Sequence, residues 1–290
     1  MVVTAAGIRL GHFGRSITGI NMKNKKELGQ HWLNDRIILD EIADEAVCDA
    51  KLCVEIGPGL GTLTSSLLKR FEKVLAVEFD EKLAKNLPGS FPGTNLEVIN
   101  EDILKFDFSK ITEPFAVAGN IPYYITSPII LKLLYLGDEN LAESDSKSGP
   151  VRQNAASQSV VCRPQKIALL IQKEVAERIT AGPGKHSVLS LTVQNRADVE
   201  YGVDVPKNYF TPPPKVDSAS IILTPHAPLV SEKVINFIKL GFSQPRKKLT
   251  HNLPYEKTKL LEIFKELGIS ENARPADLSL EQWKSLFEKF

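Results

Sequence analysis

Leu52–Cys53–Val54–Glu55–Ile56–Gly57–Pro58–Gly59–Leu60–Gly61 is the stretch that decides the fold. Its first five residues, four of them apolar, read as a short buried strand, and glycine at every second position then ends it. From Thr62 to Phe71 the apolar residues Leu63, Leu67, Leu68 and Phe71 recur at helical spacing. Strand, glycine turn and helix open a crossover unit whose next strand lies parallel to the first. The glycines let the chain turn sharply and bring backbone close to a ligand, at the N-terminus of the helix that follows. The spacing is G-x-G-x-G, distinct from the dinucleotide G-x-G-x-x-G. It suits a nucleotide-like cofactor, although a turn without a ligand can carry the same spacing.

Working outward, short apolar strands keep alternating with helices. Strands are expected over Val74–Phe79, Leu96–Ile99, Phe115–Gly119 and Ile167–Ile171, with helices over Glu81–Leu87, Ser127–Tyr135 and Lys173–Ala181. This alternation argues for an α/β fold around a parallel, doubly wound sheet. Leu189–Gln194, Val199–Val205 and Ala219–Leu223 read as further strands. Beyond Pro225 only helices are expected: Ser231–Phe242, Tyr255–Leu267 and Leu280–Phe290, with a basic turn between the first two. Residues 137–164, rich in Ser, Gln, Asn and acids, read as a long surface loop. The domain organisation is therefore an extension over residues 1–22, an α/β domain over 23–227 and a small all-helical domain over 228–290.

Composition narrows the class. With 290 residues, 42% hydrophobic and 24% charged, the chain is ordinary for a globular protein with a substantial core. Its three cysteines form no CxxC pair, which suggests a reducing, cytoplasmic setting and neither a disulfide framework nor a metal site. No apolar run approaches the roughly 20 residues of a membrane span, and a monomer off the membrane is expected. Net charge is +1, so a nucleic-acid partner needs a local basic patch. Met1–Ile20 has two Arg, one His and no acid. That composition is compatible with a transit peptide, but without an amphipathic period it is read as an extension with no assigned role.

Two acids follow the glycine loop in register. Glu78 ends the second strand and Asp102 follows the third. Ligands of open α/β sheets bind outside the carboxyl ends of the strands, so loop and acids face one crevice. Glu78 there can accept the hydroxyls of a ribose, and Asp102 the amino group of an adenine. Each alone also fits a solvated turn. The fourth strand ends in Asn120–Ile121–Pro122–Tyr123, the most specific motif of the chain. Pro122 holds Ile121 extended. The Asn120 side-chain oxygen and the Ile121 carbonyl can then accept both N–H bonds of one exocyclic amine, with Tyr123 placed to stack on a flat base. No Ser–His–Asp or Cys–His signature for covalent catalysis is present.

These motifs, together with Gly29–Asp35 (GQHWLND), Gln172–Val175 with Arg178, Phe210–Ser218 (FTPPPKVDS) and Phe242–Leu249 (FSQPRKKL), resemble in order those of the ribosomal RNA adenine dimethylases of small-subunit type. The resemblance spans Lys23–Phe290. It implies a Rossmann-like class I methyltransferase sheet with a C-terminal helical domain, S-adenosyl-L-methionine as cofactor, and dimethylation at N6 of two adjacent adenines in a 3′-terminal hairpin of small-subunit rRNA within an immature small subunit. It further implies that His31, Leu33, Gly57, Gly59, Glu78, Asp102 and Asn120 bind the cofactor. Asn120, Ile121 and Tyr123 would hold the adenine, and Phe210 would close on its other face. Lys215, Arg246, Lys247 and Lys248 would touch RNA phosphates, although a basic triplet equally suits a solvated face. Trp32 stands where the family usually has Phe, and His186–Ser187 stand where many members have Tyr-Gly. Three other readings share parts of the pattern: a large-subunit adenine methylase of the macrolide-resistance type, a non-catalytic assembly or transcription factor, and a nicotinamide dehydrogenase. The P-P-P-K-V-D-S run, the intact acids and the glycine spacing, respectively, speak against them.

Overall fold

The computed structural model describes residues 31–138 and 162–290. The 1–22 extension, Lys23–Lys26, Gly29, Gln30 and most of the 137–164 loop lie outside the described residues.

The deciding stretch forms β2 (Leu52–Ile56), an inner strand, third in order, of a seven-stranded sheet. On one side it pairs in parallel with β3 (Lys73–Glu78), which pairs with β4 (Leu96–Asn100). On the other it pairs in parallel with β5 (Phe115–Asn120), followed by β6 (Lys166–Gln172). Strand order thus reverses between β2 and β5, leaving a crevice at the carboxyl ends of both. Beyond β6 the sheet is not parallel: β9 (Ser218–Pro225) runs antiparallel to β6, and β7 (Ala197–Val205) antiparallel to β9. The sheet is therefore mixed, because the last two strands are joined by a return along the edge without a crossover helix. The short β1 (Trp32–Leu33) pairs antiparallel with β8 (Phe210–Thr211) and forms a separate strap.

Both faces of the central sheet are covered, as the unbroken apolar strands require. Val54, Ile56, Val77, Val117 and Leu169 pack under α4 (Thr126–Leu134). Cys53, Val74, Ala116, Ala118 and Leu170, of opposite parity, pack with Leu39, Ile42, Leu63 and Leu67 of α1 (Arg36–Glu45) and the turn around α2 (Thr64–Leu67). Asp35 caps α1, its carboxylate accepting from the amides of Ile37 and Ile38 at 3.0 Å. Asp80 caps α3 (Glu81–Ser90) in the same way.

Leu189–Gln194, read above as a strand, lies within a helix, α6 (Val188–Gln194). Leu189, Leu191 and Val193 alternate with Ser190, Thr192 and Gln194, the period of a strand, yet residues 190–193 are all buried, polar and apolar alike. The deciding feature is the cap. Ser187 accepts from the Ser190 amide at 3.1 Å and Ser190 Oγ accepts from the Ser187 amide at 2.7 Å. Ser187, a departure from the family pattern, thus starts this helix. After β9 the chain is helical, with α7 (Glu232–Gly241), α8 (Leu249–Asn252), α9 (Lys257–Glu266) and α10 (Leu280–Phe287). Their core, around fully buried Trp283 with Phe237 and Phe264, takes only Leu191 from residues before 230.

Candidate active site

A cavity of about 230 Å³ opens at the strand-order reversal. Gly57 and Gly59 line it with φ of +65° and +58°, a region that L side chains rarely adopt. The loop is clamped to β3: the Gly57 amide donates to the Val77 carbonyl at 3.0 Å, and the Gly59 amide to Glu78 Oε2 at 3.0 Å. A Cβ on Gly57 would meet nothing within 4 Å, so backbone there is open to a ligand, whereas one on Gly59 would touch the Trp32 indole at 3.1 Å. Trp32 therefore lies over the loop, where a smaller ring would reach less far.

Glu78 is 5% exposed, and its Oε1 accepts from the Asp80 amide at 2.8 Å. Burial pushes its carboxyl above the ordinary range, against the pull of the Asp80 and Gly59 amides. Each oxygen keeps a second lone pair for a hydroxyl donor. Asp102 Oδ1 accepts from the Leu104 amide at 2.9 Å. Glu55 faces the same cavity at 1% exposure, with Oε2 buried and unpartnered among the described residues. Burial, reinforced by the charge of Glu78 and opposed by Thr64, pushes its carboxyl up to about 8.

Asn120 ends β5, and its Nδ2 donates to the His31 carbonyl at 2.9 Å. A carbonyl only accepts, so this bond fixes which end of the amide is nitrogen and leaves Oδ1 as a free acceptor. Ile121 follows, 1% exposed and lining the cavity. The Tyr123 hydroxyl is 2.7 Å from Ser218 Oγ, which holds the ring in place, and burial raises the phenol above its ordinary value. His31 Nδ1 is 2.8 Å from the Pro212 carbonyl, and its ring lies nearly parallel to that of Tyr123, centroids 6.2 Å apart.

The structure thus brings His31, Gly57, Gly59, Glu78, Asp102, Asn120, Ile121 and Tyr123 to one cavity. It does not bring Leu33 or Phe210 there. These pair with each other across the strap and are 1% and 3% exposed, packed in the core with Leu39, Ile42 and Leu67. The face of Phe210 is covered in this arrangement, and the strap buries both side chains because each is the inward residue of its strand. Lys215 and Arg246–Lys248 are exposed and off the cavity, with Lys248 bonded to Asn272. Phe79, Leu104 and Tyr124, which sequence reasoning passed over, line the cavity at 63%, 37% and 64% exposure. A large apolar or aromatic residue one or two places beyond each strand-end motif is the signal that would have found them. Among the described residues no group of three or more His, Cys, Asp or Glu is placed to hold a metal ion, and no helix is long and apolar enough to cross a membrane.

Gly119 leaves no room for a side chain against β2: a Cβ there would lie 2.7 Å from the Ile56 carbonyl. Ile56 precedes Gly57, so a side chain at 119 displaces the glycine loop. Gly119→Ala is expected to destabilise the protein by about 1–3 kcal/mol and to weaken cofactor binding. Calorimetry and a cofactor titration check it, and an unchanged Tm would mean the strands part freely.

Glycine loop, strand-end acids and N-I-P-Y at a strand-order reversal define the class: an S-adenosylmethionine-dependent methyltransferase fold. A model of the ribosomal RNA adenine dimethylase family matches residues 21–290, and the chain belongs to that family. It is 38% identical over 286 residues to "Ribosomal RNA small subunit methyltransferase A" of Nostoc sp., covering 91% of this chain and 97% of that one. The protein of the same name from Alkaliphilus oremlandii is 36% identical over 90% of each chain. Among solved structures, the 23S rRNA methyltransferase ErmE superposes with a TM-score of 0.68 at 28% identity, covering 89% of this chain and 98% of that one. A dimethyladenosine transferase from Plasmodium falciparum gives 0.67 at 25% identity, covering 90% and 97%.

Proposed function

We propose that this enzyme transfers methyl groups to the N6 amines of two adjacent adenines in a 3′-terminal hairpin of small-subunit rRNA, within an immature small subunit during ribosome biogenesis. Similarity along nearly the whole chain to relatives named for the small subunit carries the choice of RNA. The cavity carries the chemistry. On this reading residues 23–227 form the catalytic domain and residues 228–290, with Arg246, Lys247 and Lys248, and also Lys215, hold RNA phosphates. The enzyme works as a monomer in the cytoplasm.

The residues present fit S-adenosylmethionine. Glu78 and Asp102 offer acceptors for a ribose and an adenine amine, Phe79 and Leu104 offer apolar surface for the ring, and open backbone at Gly57 admits close approach. When bound, the cofactor supplies an electrophilic methyl group on a sulfonium. Asn120 Oδ1 and the Ile121 carbonyl accept the two N–H bonds of the target amine. That draws its lone pair out of conjugation with the ring and aims it along the line of displacement. Tyr123 stacks on the base and replaces part of the stacking lost when it leaves its helix. With the cofactor bound, the methyl group it supplies would pass directly to the amine nitrogen that Asn120 and Ile121 hold, and the amine proton would leave to water. No covalent enzyme intermediate is needed. After the first transfer one N–H remains, so one acceptor holds the amine for the second.

The test is methyl transfer from labelled S-adenosylmethionine to small and large ribosomal subunits from cells lacking their own dimethylase. Label recovered as dimethyladenosine from small subunits is expected. Label on large subunits alone would place the enzyme with ErmE, which is named for 23S rRNA. Binding of cofactor without label on either would leave an assembly factor.

A further inference from the structure

We infer that Lys132 is a positioning residue for the cofactor: its ammonium holds the turn that carries Asp102 against α4, in the place where the Asp102 carboxylate meets the adenine amine. The inference rests on the proposed role of Asp102 and extends it to a residue on another element.

Strand β4 ends at Asn100, and residues 101–106 then turn without forming a helix. Asp102 closes this turn from its start. Its Oδ1 accepts from the Leu104 amide at 2.9 Å, and its carbonyl accepts from the amides of Lys105 and Phe106 at 2.8 and 2.9 Å. Asp102 and Leu104 both line the cavity. The carbonyls of Leu104 and Phe106 are satisfied from outside the turn: Lys132 Nζ donates to both at 2.8 Å. Nζ also lies over the Phe108 ring, 5.6 Å from its centre.

The choice of partner is informative. Burial lowers the pKa of the ammonium, and the charges of Asp102, Glu101 and Asp107 oppose that shift. Three carboxylates thus lie within reach of its field. Yet among the described residues Lys132 forms no ion pair and donates to carbonyls instead. Asp102 Oδ2 makes no hydrogen bond among the described residues and stays available to a ligand. The lysine therefore fixes the backbone of the turn without occupying its acceptor. It does so from the middle of α4, where Ile129, Ile130 and Leu133 around it are buried. That helix starts directly after the turn Tyr123–Ile125, the continuation of Asn120–Ile121–Pro122. One rigid element carries the base-holding motif at its start and the support of the Asp102 turn about 9 Å further along its axis, at about 1.5 Å per residue.

The experiment compares full-length wild type, Lys132→Met and Lys132→Arg. It measures Tm and two dissociation constants: that of S-adenosylhomocysteine, the spent cofactor, and that of its counterpart with hydrogen in place of the adenine amine. Lys132 is half-buried on α4, so neither replacement crowds the core. Methionine has about the length of lysine and donates nothing, whereas arginine can donate to two carbonyls at once. Wild type is expected to bind the amine-bearing ligand about tenfold or more tighter, the range of one hydrogen bond to a charged group. In Lys132→Met that preference falls to within about threefold, because only the amine-bearing ligand loses a bond of this strength. Lys132→Arg recovers most of it. A preference that Lys132→Met keeps in full would overturn the inference. So would equal weakening of both ligands, the result of a merely structural bond, or arginine no better than methionine. No preference in wild type would overturn the role of Asp102, and the inference with it. Both ligands lack the methyl group, so none of these outcomes depends on which RNA is the substrate.

Discussion

Replacing Asn120 with alanine lowers kcat for methyl transfer by about a hundredfold or more, while cofactor affinity stays within severalfold of wild type. The size follows from what the side chain does. Its Nδ2 is engaged by the His31 carbonyl at 2.9 Å, which leaves Oδ1 to hold the amine. An unheld amine keeps its lone pair in the ring and samples many orientations, and loss of alignment of this kind costs about a hundredfold. Neither Glu78 nor Asp102 bonds to Asn120, and their bonds to Gly59, Asp80 and Leu104 are untouched by the change. Single-turnover rates with saturating cofactor, alongside Tm, check the prediction. A fall in cofactor affinity equal to the fall in rate would make Asn120 a cofactor ligand and nothing more. Unchanged turnover would remove it from the chemistry. A loss transmitted only through the strap that carries His31 would raise KM and spare kcat.

The parts of this fold that were legible in sequence are those where one residue pattern permits one structure. Leu52–Ile56 is apolar on both faces and stops at glycines, so it could only be an inner strand, and β2 has the bounds expected of it. The helices after Pro225 carry clear apolar stripes and appear where expected. Legibility failed where burial overrides the polar–apolar pattern or where pairing is non-local. Val188–Gln194 is buried on most sides and was decided by a two-serine cap. The direction of β7 and β9 depends on what they pair with, which no local pattern states. Trp32–Leu33 and Phe210–Thr211 are two-residue strands separated by most of the chain. Neither has a detectable period alone.

The site divides along the same line. Gly57, Gly59, Glu78, Asp102 and Asn120–Tyr123 were legible because each ends a strand, and topology alone brings such ends together. Phe210 lies off the cavity: motif and chemistry name a residue without saying which way its strand faces. In the strap it is the inward position opposite Leu33. His31 was assigned through the same motif, yet its tether to Pro212 and its ring geometry against Tyr123 are tertiary facts. Glu55 stood in full view as the residue before Ile56, and its role escaped notice because a strand position with an acid inside gives no hint of what stabilises it.

That buried acid carries the second large effect. Burial pushes Glu55 up to about 8 from an ordinary value of 4.5, so the folded free protein holds this carboxyl mostly protonated at pH 7, whereas the unfolded chain ionises it. Below pH 4.5 both states are protonated and the full stability is present. As pH rises toward 8 the unfolded state sheds its proton first, and stability falls by about 5 kcal/mol in all, at 1.36 kcal/mol per unit. Glu55→Gln keeps the shape and cannot ionise. Its Tm is therefore expected to match wild type near pH 4.5 and to exceed it at pH 8.5 by on the order of 10 °C. Other raised groups, such as Glu78, act on both proteins and cancel in the difference. Parallel Tm curves across that range would mean Glu55 is not protonated in the fold. Positive charge placed beside the unpartnered Oε2 would favour the ionised form. Cofactor binding by wild type at pH 7 should then release a proton, seen as a buffer-dependent heat in calorimetry, and Glu55→Gln should bind without it.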